Sequence, residues 1–476
     1  MLISILSILL LVLSLYYLRV FMKDRHLPPG PAGLPIVGYL PFLGRNPAIT
    51  YLKLSEKYGP VFSIRIGGNT MIILNTREAI FQAFSKQAKF TADRPPHPIF
   101  NEMSSGKNIS MTNGRRWRIG RTLAMKFLKN FSKQKVEHII AEESEYLCDA
   151  LRDTGGKPLE NHGILAKAVM NVLSSLMVGG RFSYEGQVGL GKMLSYTSQL
   201  SDEYHGDILG ILLIAPFLRF LPFIKQSYQK LLAGIAGIEG EMKNIAEDHR
   251  QSYDKNHCRD YIDFLLNEEQ DDYIRTAQDM IAAGTDTTAS TLRWFFLAMI
   301  IYPEYQKKLS DEISDVIGSS GKIEMKHQDQ MPYTRAFIQE ILRYQSPVPL
   351  GLPHKTTSEI TVQGFKIPPN TTILANFWGS QRDPKIVTDP NKFLPERFID
   401  SNGRFVNNDH LLPFGIGSRQ CIGEQIARMQ LFMFLTNIVQ KFQIRASKNK
   451  RLPSFNQGVL GIGYSPHDFA VEFHEK

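Results

Sequence analysis

Apolar and polar residues are arranged in three different ways along this chain, and each predicts a different kind of element. The first eighteen residues, MLISILSILLLVLSLYYL, contain no charge, close to the ~20 apolar residues a helix needs to cross a bilayer. Tyr16 and Tyr17 stand where interfacial aromatics anchor a span. Arg19, Lys23, Arg25 and His26 follow, with only Asp24 opposing them. No A-x-A-like cleavage site follows the run, so it reads as a retained transmembrane anchor over residues 1–22 rather than a removed signal peptide. The positive flank holds the remainder on the cytosolic side. Next comes LPPGPAGLPIVG, with four prolines and three glycines in twelve residues. Such a stretch resists helix and predicts a stiff connector over residues 23–35.

The second pattern is short and rich in β-branched residues. VFSIRIGGNTMIILN predicts a hairpin turning at Gly67-Gly68-Asn69, and EITVQGFKIPPNTTILAN predicts further short strands. The third is a three- and four-residue apolar spacing, which dominates from about residue 115 to 345. QKVEHIIAEESEYLCDALRD, LLAGIAGIEGEMKNIAEDHRQ and QDMIAAGTDTTASTLRWFFLAMII all carry it, as does IGEQIARMQLFMFLTNIVQKF near the end. No repeat and no clean linker occurs after residue 35. The expected architecture is mainly α with minor β, in one large domain over residues 36–476.

Composition narrows the chemistry. At 43% hydrophobic and 21% charged, the chain is neither disordered nor collagen-like. Three cysteines without a CxxC pair exclude a disulfide framework and make a cysteine-rich zinc site a poor fit. A net charge of +9 suits an acidic partner or an anionic membrane. No basic segment is interleaved with base-stacking aromatics, which argues against nucleic acid. GQVGLGK (Gly186 to Lys192) imitates a phosphate loop, but Met193 stands where a magnesium-holding Ser or Thr belongs. GIAGIEG lies within a helical run and lacks the dinucleotide spacing. The chain therefore carries no nucleotide site of its own.

Cys421 is the residue that turns composition into chemistry. It sits in FGIGSRQCIG, between glycines and directly before a helical run. A thiolate metal ligand needs an exposed, rigidly held sulfur among groups that favour negative charge. Helix amino-terminal N–H groups supply part of that, and Arg419 supplies a cation. Gly415, Gly417 and Gly423 let a flat partner approach the backbone, and Phe414 offers an apolar face. The stretch fits F-x-x-G-x-R-x-C-x-G at every specified position. It resembles the heme–thiolate monooxygenases, the cytochrome P-450 family, and most of all the large animal microsomal group that handles drugs and steroids. The likeness runs over essentially the whole chain. It implies heme b with Cys421 as axial iron ligand, and dioxygen as co-substrate. It also implies electrons from NADPH through cytochrome P-450 reductase, with a cytochrome b-type donor as a second source, and residence in the endoplasmic reticulum membrane.

Other segments take their meaning beside that motif. In AAGTDTT, Gly284, Asp286, Thr287 and Thr288 interrupt an apolar helix, and Ala283 lies one turn from Thr287. A glycine there costs about 1 kcal/mol. A small residue lets a heme lie against the helix, and Gly284 belongs to the same cofactor-side set. The resemblance assigns Thr287 to the dioxygen side and Asp286 to feeding protons toward it. In EILR, Glu340 and Arg343 are three apart, an ordinary surface pair when taken alone. With Arg397 in PERF they resemble the family's buried structural cluster. The resemblance also points to Trp117, Arg121, His354, Arg94 and Arg419 for the heme propionates, although Arg94 alone reads better as a solvated surface residue.

Arg118, Lys129 and Lys135 remain as a basic face, either simply solvated or the docking surface for the reductase. Ile109, Ala282, Val348, Leu352 and Ile462 are the expected pocket-lining residues by their spacing from the motifs, and their aliphatic character suits a lipophilic substrate. The passage from DYIDFLL to NEEQDDYIRTAQDM is shorter than in relatives by roughly a dozen residues, as the resemblance is judged, a trimmed loop beside the oxygen-side helix. The reading is a membrane-anchored monooxygenase. A heme–thiolate isomerase acting on peroxides and a heme sensor without turnover are the alternatives, and the Asp286–Thr287 pair argues against both.

Overall fold

The computed structural model describes residues 25–104, 106–160, 162–184, 212, 216–318, 320–448, 450–461 and 463–476. The expected anchor over residues 1–22, the GQVGLGK stretch and Ile462 lie outside the described residues. Among the described residues no helix is long and apolar enough to cross a membrane.

Two compact units are interleaved along the chain. One comprises Met1–His97, Pro349–Pro390 and His410–Gln420; the other comprises Pro98–Val348, Asn391–Asp409 and Cys421–Lys476. Both units draw on the run from residue 36 to 476, and their elements are mainly helical with minor sheet, as the sequence predicts. Hydrophobic periodicity reports which face of an element is buried, but not which elements share the interior they are buried in.

The first unit is built on a sheet. Val61–Ile66 and Asn69–Leu74 form the expected hairpin, with Ile66 opposite Asn69 across a two-residue turn. Thr372–Ala375 joins Asn69–Leu74 in parallel, and His354–Lys355 adds an antiparallel edge. Side chains alternate across a strand, and here both faces are covered. Ile72, Leu74 and Ile373 enter one cluster with Ala79, Phe84 and Leu412, while Ile73 and Leu374 enter another with Tyr51 and Phe62. The paired residues Ile72↔Ile373 and Ile73↔Leu374 therefore fall on matching faces. A helix over Pro47–Tyr58 precedes the hairpin, with Pro47 at its first turn and the Asn46 side chain accepting from Ala48 N–H.

The second unit is helical. Its described helices include Gly114–Asn130, Lys133–Arg152, His162–Val178, Pro222–Gln251, Arg275–Ile301, Pro332–Gln345 and Glu424–Lys441. GIAGIEG lies inside Pro222–Gln251, as its periodicity predicts. Two of these helices are buried all round, the mark of a central position. Thr288 to Met299 are buried without interruption in Arg275–Ile301, and Met429 to Val439 in Glu424–Lys441. Each fully buried large apolar side chain there contributes roughly 1.5–3 kcal/mol. Small sheets close the unit: Leu159–Glu160, Ala470–Glu475 and Phe442–Ala446 in one, Gly458–Leu460 and Tyr464–Pro466 in another. Tyr261–Asn267 reaches Arg275–Ile301 through a single 3-10 turn at Asp271–Tyr273.

Candidate active site

In the second unit the thiol of Cys421 stands at the head of Glu424–Lys441, and Cys421 is solvent-exposed although the helix it precedes runs into the core. Backbone N–H groups of Gly423 and Glu424 hydrogen-bond toward its sulfur. Burial pushes the thiol upward from its ordinary pKa and the Glu424 carboxylate adds to that; the two N–H groups and the Arg121 guanidinium pull it down. The residue meets solvent, yet protein atoms crowd the sulfur enough for desolvation to dominate. The desolvation reports what the turn already excludes.

Trp117 and Arg121 project one turn apart from the Gly114–Asn130 helix, the indole buried and the guanidinium half-buried. Desolvation lowers the Arg121 pKa and the Cys421 thiolate raises it. An arginine stays protonated under either influence, so a fixed positive charge accompanies the sulfur.

The opened stretch of Arg275–Ile301 lies one turn before its fully buried part. Ala282, Ala283 and Asp286 are exposed there, whereas Ile281, Thr285 and Thr288 are buried. The Thr287 hydroxyl donates to the Ala283 carbonyl at 2.8 Å, so its lone pairs remain to accept from whatever lies over that face. Gly284 turns the other way. A Cβ built on it would stand 2.7 Å from Leu173 Cδ1, so the missing side chain admits the His162–Val178 helix. That close approach explains the glycine without a cofactor.

Asp279 is a residue the sequence reading passed over. It stands one turn before Ala283 and two before Asp286, on the same helical face. Its carboxylate accepts the Ile109 N–H at 2.6 Å and stands 3.9 Å from Arg275. Desolvation pushes it up to about 6, against the Ile109 hydrogen bond and the charges of Arg275 and Arg116. Ile109 itself is half-buried, as is Val348, so the carboxylate pins the backbone of a segment expected to line the pocket.

Glu340, Arg343 and Arg397 come together in the same unit. Arg343 donates to both Glu340 oxygens, Nε at 2.6 Å and Nη2 at 2.8 Å, and Arg397 Nε donates at 3.2 Å. Leu394 N–H adds a third donor at 2.7 Å, and both guanidinium groups also donate to the Lys392 carbonyl. The Glu340 and Arg343 side chains are fully buried, so the cluster has no access to reactants.

Basic side chains of the expected docking face separate. Arg118 and Lys129 are exposed. Lys135 is also exposed, but it donates to the Arg259 carbonyl at 3.0 Å and covers the Phe131 ring at 4.6 Å.

The first unit carries a cation cluster. Arg94 is buried at 5% exposure, which corrects the expectation of a solvated surface residue. It donates to the carbonyls of Leu352 and Pro353, each at 3.0 Å. Leu352 itself is half-buried. His354 is stacked on Phe84 with centroids 3.9 Å apart and hydrogen-bonds Thr91 O through Nδ1 at 2.6 Å. Its burial, then the Arg94 charge, hold it well below the usual imidazole range, with Arg419 adding to the effect and the Thr91 contact opposing it. Arg419 Nε donates to Ala92 O at 2.7 Å, and Phe414 is half-buried in the same run. Gly417 makes that run possible. Its φ is +80°, and a Cβ there would stand 1.7 Å from Phe84 O.

A flat ring bearing two carboxylates and an iron calls for groups of these kinds: the first unit holds two guanidiniums around a neutral imidazole and a glycine turn that no Cβ can enter, and the second unit holds a thiol with N–H groups at its sulfur. The donor set fits heme with a thiolate ligand. The chain belongs to the cytochrome P450 family, whose sequence model matches residues 28–473. It is 33% identical over 485 residues to cytochrome P450 2D15 of the dog, Canis lupus familiaris, covering 98% of this chain and 96% of the relative. Against human cytochrome P450 2D6 the identity is 33% over 488 residues, covering 98% and 97%. Cytochrome P450 2U1 of cattle, Bos taurus, is 32% identical over 490 residues, covering 94% of this chain and 89% of the relative. Members of this family use heme held by a cysteine thiolate, dioxygen and NADPH electrons passed on by a reductase, and this chain is a cytochrome P450 monooxygenase.

Proposed function

We propose that the protein is a membrane-anchored enzyme of the endoplasmic reticulum that inserts one atom of dioxygen into a lipophilic organic substrate. The other oxygen atom leaves as water, and a separate NADPH-dependent reductase supplies the two electrons. The observation that carries this reading is the Cys421 thiol, exposed at the head of a buried helix inside a complete F-x-x-G-x-R-x-C-x-G motif.

Cys421 would ligate the iron. Arg94, Arg419 and Arg121 would neutralise the propionates, with Trp117 and neutral His354 as hydrogen-bond partners. Heme, once bound, supplies the iron at which dioxygen is activated. The chain's own contribution is to hold and move protons and to exclude water. Asp286, exposed on the oxygen-side helix, takes protons from solvent. The Thr287 hydroxyl, one residue on, passes them inward by exchanging its Ala283 contact for a new partner. Ile109, Ala282, Val348, Leu352 and Ile462 would present an apolar lining to the substrate. Arg118, Lys129 and Lys135 would meet the acidic surface of the reductase. The uncharged first eighteen residues and their basic flank support the anchor and a cytosol-facing domain. The sequons at Asn108, Asn130 and Asn370 are then expected to carry no sugar.

Cys421→Ser is the primary test. The wild type should show the thiolate-specific absorbance of the reduced, carbon-monoxide-bound state, and the variant should lose it together with oxidation of a panel of lipophiles. Retention of both by the serine protein sinks the proposal. For the docking face, Arg118→Glu should slow reductase-driven turnover far more than peroxide-driven turnover. Equal losses by the two routes would remove Arg118 from that role.

A further inference from the structure

Aromatic rings make a continuous path from the oxygen-side helix toward solvent. Trp294 lies on the Arg275–Ile301 helix two turns beyond Thr287, roughly 10 Å along its axis, and it is fully buried. Its ring stands 5.7 Å from that of Phe455, which stands 5.8 Å from that of Tyr302, the half-buried residue that caps the same helix. Tyr305 follows at 5.6 Å. A second oxidisable ring, Tyr464, is stacked on Trp294 at 5.5 Å. Rings at these separations and tilts are ordinary core packing, and packing alone is satisfied by phenylalanine. The path instead holds two oxidisable rings at its inner end, Trp294 and Tyr464, and the half-buried phenol of Tyr302 further out. These are the aromatic side chains that give up an electron to a strong oxidant.

We propose that Trp294 and Tyr302, bridged by Phe455, form a route for oxidising equivalents from the heme to the surface. This activity is separate from substrate oxidation and rests on the heme–thiolate reading. It operates when hydrogen peroxide oxidises the heme and no substrate is present. Trp294 then gives one electron to the heme and recovers one from Tyr302 through the Phe455 ring. Tyr302 releases its phenolic proton to water and becomes a neutral radical. A soluble one-electron reductant such as ascorbate restores it with one electron and one proton. Two such passages deliver the two electrons and two protons that convert one hydrogen peroxide to two waters. The indole N–H donates to the Tyr464 carbonyl at 3.1 Å, which holds the ring in place while its charge changes.

The experiment uses the full-length, heme-loaded protein with hydrogen peroxide, a nitroso spin trap and peptide mapping by mass spectrometry. The reduced carbon-monoxide spectrum is recorded for every variant. In the wild type the trap should label Tyr302, and ascorbate should suppress the label. Trp294→Phe should lose that label and bleach its heme faster, with the carbon-monoxide spectrum unchanged. Tyr302→Phe removes one hydroxyl at a half-buried site, so it serves if the tryptophan variant fails to fold. It too should lose the label and bleach faster with its spectrum intact. An undiminished label in Trp294→Phe, or bleaching unchanged in Tyr302→Phe, overturns the route while leaving the heme–thiolate reading standing. A wild type that shows no thiolate spectrum overturns both.

Discussion

Glu340 accepts from two guanidinium groups and one backbone N–H without contact with water. Removing it strands two cations in the interior. Glu340→Ala should therefore cost about 3–5 kcal/mol, read as a lower denaturant midpoint, whereas the surface pair Lys307–Asp311 should contribute well under 1 kcal/mol. Asp279 makes the opposite point. Its native value of about 6 lies above the ordinary carboxyl value, so the fold takes up its proton before the unfolded chain does. Stability contributed by this group therefore rises as pH falls from about 6 toward 4 and is flat above 6. Asp279→Asn keeps an oxygen for the Ile109 N–H and removes the desolvated charge. It should melt higher than the wild type at pH 7, by the equivalent of about 1–3 kcal/mol, and the difference should vanish near pH 4. A constant difference across that range would refute the account. The sequence announced Glu340 because its partners occur in short recognisable strings. It did not announce Asp279, whose partner is a main-chain N–H 170 positions away.

At the scale of elements, two glycines carry opposite lessons. Gly417 faces a carbonyl oxygen that belongs to the backbone and cannot move aside, and its φ is already left-handed. Gly417→Ala should therefore distort the turn before Cys421, and the measurable result is purified protein with little heme per chain. Gly284 faces the flexible end of Leu173. Gly284→Ala should cost typically 1–3 kcal/mol of overpacking, offset in part by the helical preference for alanine. Adding Leu173→Ala should recover much of the thermal stability lost, and failure to recover any would show that the two helices do not meet there. Both glycines were legible as exceptions within AAGTDTT and FGIGSRQCIG. What each one admits was not, because the neighbour comes from a distant stretch of chain.

At the scale of the whole molecule, the class of fold followed from periodicity: strands where β-branched residues cluster, helices where apolar residues recur every three or four. The grouping of those elements did not, since two cores draw on the same chain in turn. Heme should stabilise the protein as any ligand of the native state does. Saturation at a hundred times its dissociation constant gives about 2.7 kcal/mol, so the heme-free chain should melt several degrees lower and regain the difference on reconstitution. The alternation of segments has a further result for anyone who cuts the gene in two. A fragment that stops at residue 348 keeps Asn69–Leu74 but lacks Thr372–Ala375, its parallel neighbour. That leaves an open row of amides and carbonyls of the kind that recruits foreign strands. Neither half should fold by itself, and only their joint synthesis should restore a heme-loaded, pigmented product.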